Sequence, residues 1–407
     1  MAKPGCIFAG ALLVVAVLSL FFAGRLPHAH AGGETVAGRL AVSWGDPAPG
    51  ARAPTRLSYV LAADDGRRLQ LNVAGRVAAA AGGLVALNGK RVVVELGAER
   101  AAPLGPPARE VLSLRLETAA PRASTRAAVA GEKTYLNLLC KFPDLAAEPA
   151  DAAYFTGLFG PAYPGLDHYW RELSYDALSI ASAAHGWRDL PQARSAYVTG
   201  VLGECGDAVN ADLGLLFADC VGLFDGDIDF SAGVDGINLI FNGELDCYAW
   251  GGAECAVLDG VWACWPTTWE PPWGYGNQAV LAHEMGHSFG LPHSNNSDLD
   301  SDPYDSPWDV MSDIWDFGAS VPPYGVVGQH TISAHKRQLG WLGAGAIHIP
   351  GGASPLEFQL ERLALPASAG YLMASIPISE TLSYTVEARR WAGYDGNLPG
   401  EGVIIHE

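Results

Sequence analysis

Apolar and polar positions alternate with a period of two through residues 32–118. The alternation comes in short runs such as Leu69-Gln70-Leu71-Asn72-Val73 and Arg91-Val92-Val93-Val94-Glu95-Leu96, separated by Gly, Asp and Asn turns. That is the period of a strand, so the segment predicts a small β-rich domain. Over residues 119–132 the pattern lapses into an Ala-, Arg- and Ser-rich stretch that reads as a linker. Residues 133–345 mix the two periods. An apolar strand runs from Thr134 to Cys140, and helices are expected at Leu166 to Leu173 and through Val198 to Phe217. Another strand covers Ile237 to Phe241, and a further helix starts near Asn277 and ends near Phe289. Over residues 346–407 the alternation returns, as in Leu382-Ser383-Tyr384-Thr385-Val386-Glu387. The final Gly402-Val403-Ile404-Ile405-His406-Glu407 reads as a strand cut short, which predicts that the natural chain continues. The fold class expected is α+β, a mixed central domain flanked by small β-rich regions.

The front of the chain changes the picture of where the protein works. Lys3 precedes an apolar run from Ile7 to Ala23, and Ala29-His30-Ala31 supplies a small-x-small cleavage pattern, so residues 1–31 read as an export signal. No later segment is long and apolar enough to span a bilayer, so no stable membrane insertion is expected after cleavage. Of seven cysteines, Cys6 leaves with the signal. The even set of Cys140, Cys205, Cys220, Cys247, Cys255 and Cys264 fits disulfides in an oxidising compartment. Spacing leaves the pairing open; Cys205 with Cys220 is the bridge favoured.

Charge divides the chain at the linker. Residues 32–130 hold 13 Lys plus Arg against 8 Asp plus Glu, a net of +5, whereas residues 131–407 hold 10 against 36, a net of −26. So acidic a body argues against nucleic acid as a partner. The opposition also suggests that the basic front domain docks on the acidic body as an inhibitory pro-domain, released by cleavage near Arg122 or Arg126; ordinary solubility tuning is the plainer explanation. A cysteine acting as inhibitory metal ligand is not expected, because residues 32–139 contain none.

The densest chemistry lies in His283-Glu284-Met285-Gly286-His287-Ser288-Phe289-Gly290-Leu291-Pro292-His293. His283 and His287, four apart, fall on one face of a helix, where both imidazoles reach one ion. Glu284 lies beside them, in place to take a proton from water at an open coordination site. Gly290 can adopt the positive φ that ends a helix and Pro292 stops it resuming, so the chain doubles back and His293 becomes a third ligand. Two histidines four apart also occur on ordinary helix faces. The full pattern arises by chance on the order of once in 10⁵ chains of this length, which favours a zinc site with one position open.

Farther on, Ser306-Pro307-Trp308-Asp309-Val310-Met311-Ser312-Asp313 places Met311 in a Pro- and Asp-containing turn. The long histidine motif followed by such a turn resembles the metzincin zinc metallopeptidases. Tyr154-Phe155, Asp167 to Tyr175, Gly286 to Pro292 and His335 to Trp341 look like secreted peptidases of the gametolysin type and the related immune inhibitor A type, over residues 133–345. The latter commonly have Asp as third ligand, so His293 favours the gametolysin side. The resemblance implies a twisted sheet with two long helices above a cleft, His283, His287 and His293 on zinc, Glu284 as general base, and Met311 as the apolar floor. Some metzincins carry a tyrosine two residues after that methionine; Asp313 stands there instead, and Tyr304 and Tyr324 are the nearby candidates.

Two further clusters have rival readings. Trp250, Trp262, Trp265, Trp269 and Trp273 either form an exposed substrate- or glycan-binding rim or pack a loop onto the body. Asp298, Asp300, Asp302, Asp305 and Asp309 could hold Ca²⁺, although the glycine and terminal glutamate of an EF-hand are missing and a solvated acidic loop is the ordinary alternative. The expected function is a secreted zinc endopeptidase acting on a protein or glycoprotein substrate. The alternatives are a secreted adhesin or glycan-binding protein on the same scaffold, and a zinc hydrolase of non-peptide amides or esters. The sequence carries no signal for an oligomeric state.

Overall fold

The computed structural model describes residues 33–407 apart from 50, 52, 85–86, 102–105, 118–127, 202–204, 206–207, 299–301, 352–356 and 380–381. The expected export signal and the cleavage point near Arg122 or Arg126 lie outside the described residues. Residues Glu34 to Glu407 form one compact unit.

The alternating front segment forms β1 (Glu34–Pro47), β2 (Arg56–Ala63), β3 (Arg68–Asn72), helix α1 (Gly75–Ala80), β4 (Arg91–Arg100) and β5 (Ala108–Leu116). Strand β1 pairs with both β2 and β4, so the five strands close in the order β1-β2-β3-β5-β4. Their inward positions, among them Leu40, Val42, Leu61, Val92 and Val94, form a core of their own. The last four residues of β1 pair antiparallel with a strand of the central domain, Trp44 and Gly45 while still paired with β2.

In the central domain β6 (Gly131–Lys141), α2 (Ala152–Leu158), α3 (Leu166–Ser174), β7 (Leu178–Asp189) and α4 (Arg194–Tyr197) lead to a short pair, β8 (Val198–Gly200) and β9 (Val209–Ala211). Then come α5 (Leu213–Phe224), β10 (Gly236–Phe241), β11 (Tyr248–Leu258), β12 (Val261–Glu270), α6 (Pro272–Tyr275) and α7 (Gln278–Ser288). Strands β12, β10, β6 and β7 run parallel; β11 is antiparallel and joins β1, which makes one ten-stranded sheet with the front segment. The buried part of β6, Tyr135 to Cys140, is apolar apart from Asn137 because both its faces are covered: Tyr135 and Leu139 pack towards α3 and α7, Leu136, Leu138 and Cys140 towards α5. The chain closes with β13 (Ala319–Ser320), β14 (Val326–Val327), α8 (Ser333–Gln338) and a four-stranded sheet of β15 (Ile347–His348), β16 (Met373–Pro377), β17 (Ser383–Arg389) and β18 (Gly402–His406).

Mixed α and β elements, with more strand than helix, agree with the expected class, and α7 begins and ends where the sequence places it. Three expectations are corrected. The helix expected through Val198–Phe217 is a β8–β9 pair followed by α5, whose start is set by Asp212 accepting from Leu215 N at 3.0 Å. The long helices implied by resemblance are short: α5 has 12 residues and α7 has 11. Cys205 bonds Cys247, not Cys220, which bonds Cys140 because α5 lies across β6; Cys255 and Cys264 staple facing positions of β11 and β12. That hairpin also carries Trp250, Trp262, Trp265 and Trp269. Trp250, Trp265 and Trp269 are buried, and their indole N–H groups donate to Asp246, Ala256 and Leu213, so these three pack the hairpin and do not form an exposed rim.

A buried ionic network ties the C-terminal sheet to the central domain. Arg389 holds Glu387 at 2.9 Å and Asp395 at 2.8 Å, with no side chain of the three exposed. Asp395 also accepts from His330 N, and His330 contacts Glu172 of α3 at 3.0 Å. Removing Arg389 would leave two buried carboxylates uncompensated, so Arg389→Met is expected to cost about 3–5 kcal/mol in urea unfolding. Burial would raise the Glu387 carboxyl, but His406 and Arg389 hold it at about 2. Its folded value lies below its unfolded one, so its contribution is complete above the ordinary glutamate range and is lost as pH falls towards 2. Acid unfolding of the parent should begin in that window, and Glu387→Gln should flatten it.

Candidate metal centre

Helix α7 is buried along its whole length, packed between β11 and the Met311 turn. Its end is a Schellman turn: Gly290 has φ of 86°, Leu291 N donates to Gly286 O at 3.0 Å, and Gly290 N to His287 O at 2.7 Å. The reversal brings His293 back to the helix face. The Nε2 atoms of His283, His287 and His293 lie 3.1 Å from one another in every pairing. His283 Nδ1 faces Val310 O at 2.6 Å and His287 Nδ1 faces Leu291 O at 2.8 Å, which fixes the protons of both rings on Nδ1 and turns the Nε2 lone pairs inward. Three converging lone pairs repel one another unless a cation lies among them.

The fourth group is one the sequence reading missed. Asp46, near the end of β1, places Oδ2 3.2 Å from Nε2 of both His283 and His287, and Oδ1 3.0 Å from Nε2 of His293. Asp46, His283, His287 and His293 are the one group among the described residues able to hold a metal ion. The three nitrogens form a near-equilateral triangle of 3.1 Å edge, small enough for all three to reach one ion at the roughly 2.0–2.1 Å of metal–nitrogen bonds in four-coordinate sites, and the Asp46 carboxylate caps it with Oδ2 towards His283 and His287 and Oδ1 towards His293. The donor set therefore fits a small dication. Trp44, also of β1, stacks flat on His287 with ring centres 4.7 Å apart and planes within 3°.

Acidic side chains crowd the centre. Burial, then the charges of Asp46 and Glu270, push Glu284 well above its ordinary value, and burial takes Glu270 to about 8. Both oxygens of Glu284 and of Glu270, and Oδ2 of Asp46, lack hydrogen-bond donors. A buried dication is the charge that would stabilise such a set.

Met311 lies directly under the helix, where a Cβ added to Gly286 would sit 2.3 Å from its sulfur. Asp309 turns inward, accepting from Met311 N at 3.0 Å and Ser294 at 2.8 Å and facing His335 at 2.9 Å. It shapes this turn, which removes it from the expected calcium set; Asp300 of that set lies outside the described residues. Of the two tyrosine candidates, Tyr324 packs over Gly157 and Tyr154, away from the histidines. Tyr304 is at the centre: its ring is 5.4 Å from that of His293, and its hydroxyl donates to Asp46 Oδ1 and contacts Thr55 at 2.7 Å.

No family model matches the chain, and no curated protein matches it. The histidines, Glu284 and Met311 meet as the spacing requires. Asp46 and Trp44 come from a strand remote in sequence and Glu270 from the end of β12, just ahead of α6, and no local spacing marks them. Gly286→Ala should force Met311 aside, at about 1–3 kcal/mol in stability, and should speed release of bound metal to a chromogenic chelator.

Proposed function

We propose that the protein is an exported, zinc-dependent endopeptidase. What supports this most is the triangle of three inward Nε2 atoms at 3.1 Å with a buried, unpartnered Glu284 carboxyl beside it. Three histidines plus one exchangeable corner is the donor set of catalytic zinc, and the resemblance to metzincins rests on these same residues. The three disulfides are compatible with export, and among the described residues no helix is long and apolar enough to cross a membrane.

Bound by His283, His287 and His293, zinc would supply Lewis acidity to a scissile carbonyl and to water. Glu284 would take the proton of the attacking water and deliver it to the leaving amine. Tyr304, whose hydroxyl now donates to a carboxylate oxygen beside His293, is placed to donate to the oxyanion of a carbonyl held there. Met311 supplies an apolar floor that holds α7 in place. The substrate class is protein or glycoprotein.

The test is hydrolysis of denatured casein, with metal analysis, on the full chain and on Glu284→Ala, each with Asp46 intact and with Asp46→Ala. One zinc per chain in all four, and turnover that falls about 10²–10⁴-fold on loss of Glu284, is the expected result. Zinc in all four and casein untouched by any would favour the binding-protein alternative, and cleavage of a simple ester alone would favour a non-peptide hydrolase. Tyr304→Phe in the Asp46→Ala background should lower kcat roughly 10²-fold with KM little moved.

A further inference from the structure

We infer that the front β-segment, residues 34–117, holds the protein latent and that Asp46 is its latch. The inference rests on the endopeptidase reading and adds its regulation. Strand β1 runs antiparallel along β11, pairing Trp44 with Gly251, Gly45 with Trp250, Asp46 with Ala249 and Pro47 with Tyr248. This register delivers the Asp46 carboxylate to the fourth corner, within 3.0–3.2 Å of all three histidine nitrogens. That corner is where hydrolysis needs water or a carbonyl oxygen. With Asp46 in it, the site has four protein ligands, the closed arrangement of a structural zinc.

The surroundings are built for this contact. Trp44 covers His287 from the same strand. Position 45 must be glycine, because a Cβ there would lie 2.7 Å from the Trp250 ring. The Tyr304 hydroxyl, placed to serve a substrate oxyanion, is taken by Asp46 and Thr55, both of the front segment. Asp46 Oδ2 is buried with no hydrogen-bond donor, an arrangement that is costly unless a cation faces it. The basic segment is also held on the acidic body by Arg56 on Asp246 at 3.1 Å and Arg68 on Glu254 at 2.8 Å.

The experiment compares zinc-loaded full chain, Asp46→Ala and Asp46→Asn. It measures acetohydroxamate binding by calorimetry, zinc content after dialysis, and casein turnover. Latency expects acetohydroxamate to bind Asp46→Ala at least tenfold more tightly than the parent, with zinc kept at one per chain and turnover at least tenfold higher. Asp46→Asn, which keeps the shape and loses the charge, should fall between them, and it carries the comparison alone if the alanine variant does not fold. Equal acetohydroxamate binding in parent and variants would overturn the latch and leave the peptidase reading intact. Loss of zinc from both variants would also overturn it, because Asp46 would then be a permanent structural ligand. Tighter acetohydroxamate binding with zinc kept but no casein cleavage would keep the latch and sink the peptidase reading.

Discussion

Everything at the centre depends on holding three imidazole nitrogens 3.1 Å apart with their lone pairs facing one another. Such a triangle opposes its own formation, and each structural feature around it counters that repulsion. The backbone carbonyls of Val310 and Leu291 fix two ring orientations from outside. The Schellman turn at Gly290 brings in the third ring without a longer loop. Met311 fits against Gly286 so closely that no side chain could stand there, which sets the depth of α7 above its floor. Asp309 in turn holds Met311, Ser294 and His335. A cation relieves the repulsion, and the protein spends burial and hydrogen bonds on a geometry that makes sense only with the cation in place.

The parts of this centre that could be read in the sequence are those set by local geometry. His283 and His287 meet because an α-helix repeats every 3.6 residues, and His293 joins them because Gly290 and Pro292 determine where the chain turns. The same logic placed α7, β6, β10 and β17. It failed where the deciding interaction is long-range. The stretch 198–217 has helix-like apolar spacing, yet Val198–Gly200 and Val209–Ala211 pair with each other as strands. Cysteine spacing could not disclose that α5 lies across β6 and so joins Cys220 to Cys140. Asp46 looked like any carboxylate in a basic segment, because its role comes from the register of β1 on β11, a strand remote from it in sequence.

The front segment carries a net +5 against −26 for the rest, and the ion pairs Arg56 with Asp246 and Arg68 with Glu254 lie between the two parts, an asymmetry that solubility tuning alone also accounts for. Cysteine, which residues 32–139 lack, is not the only side chain able to fill a coordination corner; a carboxylate does the same.

The architecture also constrains how such a latch could open. The front segment has its own apolar core, and its strands close on themselves through β1, so it does not depend on the central sheet for its interior. Its hold on the body includes four residue pairs on β11, the Trp44 stack, two arginine ion pairs, the Thr55–Tyr304 contact, an apolar patch of Ala41, Val60 and Ala62 against Cys255, and Asp46 itself. While the chain is continuous these contacts re-form at the high effective concentration of a tethered domain. A cut between the two parts would break none of them, but it would make rebinding bimolecular, so the segment would leave at dilution in proportion to its off-rate. Latency would then be governed by chain connectivity, with Asp46 as the contact through which connectivity acts on the metal centre.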